Sequence, residues 1–589
     1  MPEMVVGLSN ALNTAKVGLM ANMTSIDIVG HNIANVNNPD YRRQVATLET
    51  TNPIPSAEGP RGTGVQVSRI ESLYDRFLFR QISYETANQG RWEALAGSLD
   101  SVERVFTDLD DNGLAAQMAE FWGAWEDLAN QPEGSIERAT LAGKSQVVAA
   151  TMNSMGEDLA FQRQVVNRYI ETGISDINGL ADGLKDLNRA ILNTEINGGQ
   201  ANDLRDKRLA LLSDLSELVD IDYNEDNSGQ MNIMLAGGKP LVLGSEVFHL
   251  QSRLDDEGDV HAYFGNEGVP IDDLIGSGKL KGWMDGRSEL AAAQDGLDQM
   301  AGALIFSVNQ AHFQAYNLDG EKGLTFFEHA IELNAGNDNV GAARISFFVD
   351  ATSATAPEGI AWASLANYDD FEIRFTADYV SGGGADEFVV VNTTTGVELD
   401  AASYSIDESN AASGRLVISF NDSTDTALAP DKGYHLELDF GSDTAPRAGD
   451  TFSLSFSGNA ACTIEFNQDL KNPDKIAISD NYFEVPGNNK VALEIAQLQH
   501  QRIIEGSYTF SEYYTGLVSR VGSASYTAQS RQSQSEMVLQ QLKIREEAVS
   551  GVSIDEEMVN LIKFQQGYKA TARMVTVIDE LMQVLNDML

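Results

Sequence analysis

The chain has 589 residues, of which 42% are hydrophobic, and a formal net charge of −47. The hydrophobic content excludes wholesale disorder, and the acidic balance argues against nucleic acid or an anionic membrane as partner, because phosphate is bound by lysine and arginine. No stretch approaches the roughly 18–20 uninterrupted apolar residues of a membrane span, and the single cysteine, Cys462, excludes a disulfide framework.

The charge is unevenly distributed along the chain. Residues 1–50 carry four acidic and three basic side chains, and residues 541–589 carry eight and five. Residues 341–460, in contrast, carry 19 acidic and five basic side chains. Nearly neutral ends suit surfaces that become buried, whereas a strongly anionic middle suits permanent exposure to water.

The first predicted element is a helix with a narrow apolar seam. Positions 8, 12, 15, 19, 22, 26, 29 and 33 alternate spacings of four and three residues, and seven of the eight are apolar. This pattern is typical of a coiled-coil helix. Four asparagines between Asn32 and Asn38, followed by Pro39, predict its end. Residues 51–64 follow as a Pro/Gly-rich linker or extended loop.

The middle of the chain is predicted to be largely helical and then to change its period. Helical spacing of apolar residues marks four segments after residue 92, followed by a further helix near 295–316. Beyond residue 340 the period becomes two, as in the segments 371–375, 415–420, 435–440 and 452–456. Alternation of this kind predicts half-buried antiparallel strands.

Helices return after about residue 490, and the chain ends in a second heptad-like helix. The predicted fold class is multidomain α+β, with terminal coiled-coil helices, an elongated helical-bundle domain with some β structure, and an inserted antiparallel β domain. The predicted divisions are an inner domain from 1–50 and 546–589, a helical domain from 51–340 and 466–545, and the β insert at 341–465.

No catalytic or metal-binding pattern stands out. Asp108, Asp110, Asn112 and Gly113 match the first ligand positions of a calcium loop, but Ala119 occupies the position of the bidentate glutamate. The seven histidines include no pair at zinc-helix spacing. We therefore predict no catalytic residue, no metal and no cofactor.

The sequence NIANVNNPDY at residues 32–41 resembles the N-terminal signature NIANxNxPxY of the bacterial flagellar rod, hook and junction proteins. The C-terminal residues from 551 onward look like the matching end of that family, and residues 121–141, 203–221 and 297–327 resemble its junction members. Asp40 departs from the glycine that many members have there. The residues that match the turn motif are Asn32, Asn35, Asn37, Pro39 and Tyr41.

The resemblance implies a structural protein rather than an enzyme: a self-assembling adaptor that connects hook to filament. It implies a ring of identical copies, contacts with the hook protein and a second junction protein, and binding by an export chaperone. It also implies an extracellular location in the flagellum and export by the flagellar secretion apparatus without a cleaved signal peptide. Two alternatives stay open: another axial protein of the hook or rod, and a flagellar-scaffold protein whose β insert binds a ligand or hydrolyses a substrate.

The apolar seams of the two terminal helices predict an assembly interface. A short helix with a narrow seam is marginal in isolation, so we expect each terminal helix to lack a partner in a single subunit and to gain one on assembly. The turn at Asn32–Tyr41 is expected to set the angle at which the chain leaves this inner layer. In the assembled inner layer we predict an interface in which the first five of the following residues pack against the last five: Leu8, Leu12, Leu19, Ile26, Ile33, Leu561, Tyr568, Val575, Met582 and Leu585.

Overall fold

A computed structural model describes residues 2–587 apart from several short segments. The segments left out are 56–58, 107–112, 197–198, 236, 256–257, 323, 331, 337–338, 340–343, 350–369, 381–386, 394–395, 400–403, 408–414, 422–430 and 441–444. The fold is multidomain α+β, as predicted, with long helices at both ends and antiparallel sheets inserted between them.

The helices occupy most of the described chain. They are α1 (Pro2–Ala34), α2 (Arg76–Phe106), α3 (Leu114–Asn130), α4 (Ser135–Glu195), α5 (Asn202–Leu218), α6 (Lys279–Phe313), α7 (Ala460–Thr463), α8 (Lys490–Gln497), α9 (Phe510–Ser550) and α10 (Ile554–Asp587). As predicted, α1 ends within the asparagine run. Two helices are longer than predicted. α2 begins at Arg76 rather than near residue 92, and α6 begins at Lys279 rather than near residue 295.

The strands before the insert form three small groups. They are β1 (Gln44–Thr50), β2 (Val65–Ser72), β3 (Ile221–Glu225), β4 (Met231–Leu235), β5 (Pro240–Leu243), β6 (Glu246–Val247), β7 (Leu250–Leu254) and β8 (Val260–Phe264). β1 pairs with β2 and β7 with β8 as hairpins, whereas β3 to β6 form a four-stranded antiparallel sheet in chain order.

The inserted β domain lies between α6 and α7. Its strands and those beside it are β9 (Phe327–Glu328), β10 (Glu332–Ala335), β11 (Arg344–Val349), β12 (Phe371–Phe375), β13 (Phe388–Asn392), β14 (Val397–Glu398), β15 (Tyr404–Asp407), β16 (Arg415–Asn421), β17 (Asp431–Asp439), β18 (Thr451–Ser455) and β19 (Glu465–Phe466). They form two antiparallel sheets, β10-β18-β12-β13-β14 and β11-β17-β16-β15, and the short pair β9-β19. The predicted alternation is confirmed in β12, where Phe371, Ile373 and Phe375 are buried.

The helical domain is built around α4, which is about 90 Å long at 1.5 Å per residue. α6 packs against both α4 and α2, and α9 packs along α2. Close approach of α6 to α2 depends on Gly282, since a Cβ there would collide with the carbonyl oxygen of Arg91. An aromatic group that includes Phe121, Trp125 and Phe326 fills the core where α3 and α4 meet the strand that follows α6.

Candidate assembly interface

The two terminal helices pack against each other within one chain, and they run antiparallel. A Cβ placed on Gly18 would lie 3.4 Å from Cγ2 of Thr571, and one on Gly567 would lie 2.6 Å from Oδ1 of Asn22. Positions 18 and 22 of α1 thus face positions 571 and 567 of α10, in the reverse order along the chain. The expectation that a single subunit leaves each terminal helix without a partner helix is wrong.

Small side chains form a buried stripe on α1, and Gly18 within it lies against α10. Ala15, Gly18, Ala21 and Ser25 are all buried, at helical spacings of three and four residues. The hydroxyl of Ser25 donates to the carbonyl oxygen of Ala21, at 2.8 Å, so its burial leaves no unpaired polar atom. Small residues at a helix interface let the two backbones approach closely, and their lack of side-chain bulk explains why hydrophobic periodicity alone did not identify the stripe.

The predicted interface residues flank this stripe rather than form it. On α1 the five predicted side chains are all half-buried, and on α10 four of the five are half-buried while Tyr568 is exposed. Part of each side chain therefore stays accessible from outside the subunit. The residues with this placement are Leu8, Leu12, Leu19, Ile26, Ile33, Leu561, Val575, Met582 and Leu585.

The outward face of α10 is rich in exposed apolar side chains. Several side chains in both halves of the helix are between 45% and 66% exposed. They recur at spacings of three and four residues, which is the pattern of a helix face that packs on a neighbour. The side chains are Met558, Val559, Ile562, Met574, Val577, Leu581 and Val584.

A polar junction centred on the buried Asn32 side chain joins the helix pair to the rest of the chain. Its Oδ1 accepts from the Tyr41 hydroxyl, at 2.7 Å, and from the Gln44 backbone N–H, at 3.0 Å. Its Nδ2 donates to the Gln44 carbonyl oxygen, at 2.9 Å, and to Oε2 of Glu557, at 3.2 Å. One amide thereby links the end of α1, the start of β1 and the start of α10.

Arg43 reinforces the same junction. Its Nε donates to Oε1 of Glu557, at 2.8 Å, and its guanidinium also pairs with Glu556 at 3.0 Å. Its backbone N–H donates to the carbonyl oxygen of Ser550, at 2.9 Å, and its carbonyl oxygen accepts from the N–H of Leu73, at 2.8 Å. Because Glu557 is buried, these contacts offset the cost of removing its carboxylate from water.

Arg42 connects the junction to the helical domain. Its backbone N–H donates to Oδ2 of Asp206, on α5, at 3.2 Å, and its guanidinium donates to Glu546, on α9, at 3.0 Å. The same guanidinium lies over the ring of Phe79 at 5.4 Å. Burial raises the pKa of Asp206 to about 6, and the Arg42 contacts oppose that shift.

The structure separates the predicted turn-motif residues into two groups. Asn32 and Tyr41 meet in the junction, and burial, followed by the charges of Asp203 and Asp206, raises the pKa of the Tyr41 phenol. Asn35 bonds locally to the carbonyl oxygen of His31 at 2.9 Å. Asn37 and Pro39 are exposed in the turn.

Sequence reasoning missed the junction partners of Asn32. Arg42, Arg43 and Gln44 directly follow the motif, so their place in the sequence could have indicated that they lie near Asn32. Asp206 and Glu557 lie far away in the chain, and no local pattern distinguishes them among 87 acidic residues.

The described residues contain no group of three or more His, Cys, Asp or Glu side chains placed to hold a metal ion, and residues 108–112 of the calcium-like loop lie outside them. None of their helices combines the length and hydropathy that a membrane crossing requires. A cleft of about 550 Å³ lies between the β insert and the helical domain, but the carboxylate of Asp370 in it already bonds to the loop at Ser455–Ser457.

Two family models match the chain. The flagellar hook-associated protein FlgK helical domain matches residues 99–327, and the flagellar basal body rod FlgEFG protein C-terminal model matches residues 548–588. The second match covers the last three residues of α9, the turn after it and all of α10.

Relatives match over nearly the whole chain. Proteins named flagellar hook-associated protein 1 from Salmonella typhimurium and Bacillus subtilis are each 26% identical, over 98% of this chain and 99% and 98% of their own lengths. The namesake from Escherichia coli K12 is 26% identical over 96% of this chain and 97% of its own. The solved structure of the hook junction protein FlgK from Burkholderia pseudomallei has the same fold, with a TM-score of 0.60 and 15% identity over 80% of this chain and all of that one.

Paired terminal helices around an internal helical domain and a β insert define a flagellar axial protein, a structural class. Within that class, the chain is similar over nearly its whole length to proteins named flagellar hook-associated protein 1.

Proposed function

We propose that this chain is a self-assembling structural adaptor at the junction between the flagellar hook and filament, and that it is not an enzyme. The observation that carries the proposal is its similarity, over 98% of its length, to a protein named flagellar hook-associated protein 1. The proposal includes contacts with the hook protein on one side and with a second junction protein on the other.

Assembly would use the apolar side chains of α1 and α10 that remain accessible after the two helices have paired. Copies in a ring make heterologous contacts, in which two different faces of each copy meet. The predicted interface side chains from Leu8 to Ile33 and from Leu561 to Leu585 are partly accessible, and the outward face of α10 is more so. Neighbouring copies would bury these apolar surfaces.

The proposal also covers the export of the chain and its division into domains. The chain would leave the cell through the flagellar secretion apparatus without a cleaved signal peptide, bound beforehand by a dedicated chaperone, and it would reside outside the cell in the flagellum. The inner domain would comprise residues 1–50 and 546–589, the helical domain 51–340 and 466–545, and the exposed insert 341–465.

Electron microscopy of a strain that lacks this chain tests the function. We expect hooks of normal length without filaments, and filaments restored when the full chain is supplied. A variant that lacks residues 1–40 should be soluble and folded in its helical domain but should not restore filaments. Missing hooks would instead indicate a rod or hook protein, and normal flagella in the deletion strain would overturn the proposal.

A further inference from the structure

A groove of about 510 Å³ lies on the helical domain where α2, α9 and β3 meet. Phe77 and Tyr84 of α2 form one wall, and Val538 and Leu542 of α9 form the other. Phe77 is 70% exposed and Tyr84 is 68% exposed. These two positions are seven residues apart and therefore lie on the same face of the helix.

Packing and hydrogen bonds beside the groove fix the positions of the elements that line it. Leu78 and Ile82, on the opposite side of α2, pack with Leu539 in a small buried core against α9. The guanidinium of Arg80 lies 5.6 Å from the centre of the Tyr223 ring and donates to the Tyr223 carbonyl oxygen, which ties α2 to β3. The groove is therefore a preformed surface.

The apolar area that the groove exposes is comparable to the apolar area that one partner buries in a protein–protein interface. With Val538, the two aromatic side chains present on the order of 300 Å² of apolar surface, given about 150–250 Å² for one large aromatic side chain. A standard interface buries about 800 Å² per partner, a little over half of it apolar. Contiguous exposed patches of this size mark interaction sites.

The groove lies on the helix that leads into the terminal helix. Val538, Leu542 and Val549 share one face of α9, at spacings of four and seven residues. Beyond the short turn at 551–553, exposed Ile554 and Met558 begin the apolar face of α10. The groove and the exposed face of α10 therefore lie on two helices that a three-residue turn joins.

We propose that the groove between α2 and α9, centred on Phe77 and Tyr84, receives a second copy of this chain in the assembled flagellum. This inference rests on the proposed function and names one surface through which the copies meet. A concave groove does not match itself, so the contact is heterologous and a different face of the neighbour enters it.

Site-specific photo-crosslinking tests the inference with the full chain in flagella. p-Benzoylphenylalanine in place of Tyr84, in the deletion strain, should yield a crosslinked species of two copies when isolated flagella are irradiated, and peptide mapping should place the second attachment on another face of this chain. Crosslinks from position 84 solely to a different flagellar protein, or no crosslink in intact flagella, would overturn the inference.

A matched pair of variants separates the groove from general surface effects. Phe77→Ser with Tyr84→Ser should lower incorporation into flagella by at least about tenfold, whereas Tyr526→Ser, at an exposed aromatic of α9 outside the groove, should change it less than about twofold. Thermal unfolding of each purified variant checks the fold. Equal losses in both variants would overturn the inference, whereas failure of the unsubstituted chain to restore filaments would overturn the proposed function.

Discussion

The side-chain amide of Asn32 donates to the carboxylate of Glu557 across 525 residues of sequence, at 3.2 Å. Both side chains are buried, at 1% exposure each. This contact joins the end of the first helix to the beginning of the last, so the polar turn that ends α1 also fixes where α10 starts. The Asn32–Tyr41 segment is thus a junction between three parts of the chain as well as a helix stop.

Asn32→Ala should loosen that junction. The substitution removes two hydrogen bonds to the Gln44 backbone and one each to the Tyr41 hydroxyl and Glu557, at a cost of about 3 kcal/mol. Amide exchange at residues 41–44 and at the start of α10 should accelerate accordingly. Asn37→Ala, in the exposed part of the same turn, is the control, with an expected change within about 0.5 kcal/mol. Equal exchange in the two variants would contradict the central role of Asn32.

Gly567→Ala should weaken the helix pair. The new Cβ would lie 2.6 Å from Oδ1 of Asn22, so the Asn22 side chain must move and disturb its hydrogen bond to the Gly18 carbonyl oxygen, and this crowding is expected to cost about 1–3 kcal/mol. Gly30→Ala is the matched control, because nothing lies within 4 Å of a Cβ there, and alanine should stabilise α1 by about 0.5–1 kcal/mol. Opposite shifts in the thermal unfolding of the terminal helices are expected; shifts of the same sign would contradict the close approach.

Acidification from pH 7 to pH 5 should tighten the attachment of the junction to α5. The folded pKa of Asp206, about 6, lies above its unfolded value. The stability linked to this carboxyl is therefore fully present below the unfolded pKa and is lost as pH rises through the folded one, by about 3 kcal/mol in total and about 1 kcal/mol between pH 5 and pH 7. Asp206→Asn should remove this dependence and retain an acceptor for Arg42. Amide exchange at residues 42–44 measures the effect, and an unchanged pH dependence in the variant would assign it elsewhere.

His261 should make the hairpin β7–β8 more stable below neutral pH. Its Nδ1 lies 2.7 Å from Asp272 and its Nε2 lies 2.8 Å from Asp255. Burial lowers the pKa of His261, but the hydrogen bonds to the two aspartates outweigh it and raise the pKa above its usual value. The stability is present below the unfolded pKa and lost as pH rises through the folded one.

The titration of His261, followed by NMR, measures this directly. His261→Gln should abolish the extra protection of the hairpin amides at pH 5.5 relative to pH 8.5. His249→Gln, at an exposed histidine beside Asp182, should leave that protection unchanged. A His261 titration below that of a model peptide would contradict the prediction.

The β insert should be removable because its entry and exit strands are neighbours. β10 pairs antiparallel with β18, and Ala335 lies opposite Phe452. Replacement of residues 336–451 by an Asn-Gly turn, which favours a tight hairpin, should preserve the helical domain and restore filaments in the deletion strain. Loss of the cooperative unfolding of the helical domain, or failure to restore filaments with that domain intact, would show that the insert contributes to folding or to assembly.

Local patterns determined much of this fold. The asparagine run and Pro39 predicted the end of α1, since these residues favour turns over helix interiors. The change of period from helical spacing to two predicted the insert, because side chains alternate between the faces of a strand. The start of α6 was missed, since Gly278 adopts φ +90° just before Lys279 and a glycine-rich stretch by itself indicates a turn.

The tertiary structure alone decided which faces and partners meet. Two stripes of α1, one of large apolar residues and one of small residues around Gly18, both follow helical spacing, and the structure buries the small one and leaves the large one half-buried. Likewise, periodicity does not distinguish Glu557 or Asp206 from other acidic residues. Their roles arise because folding brings them to buried positions beside Asn32 and Arg42, where an unpaired polar group is costly.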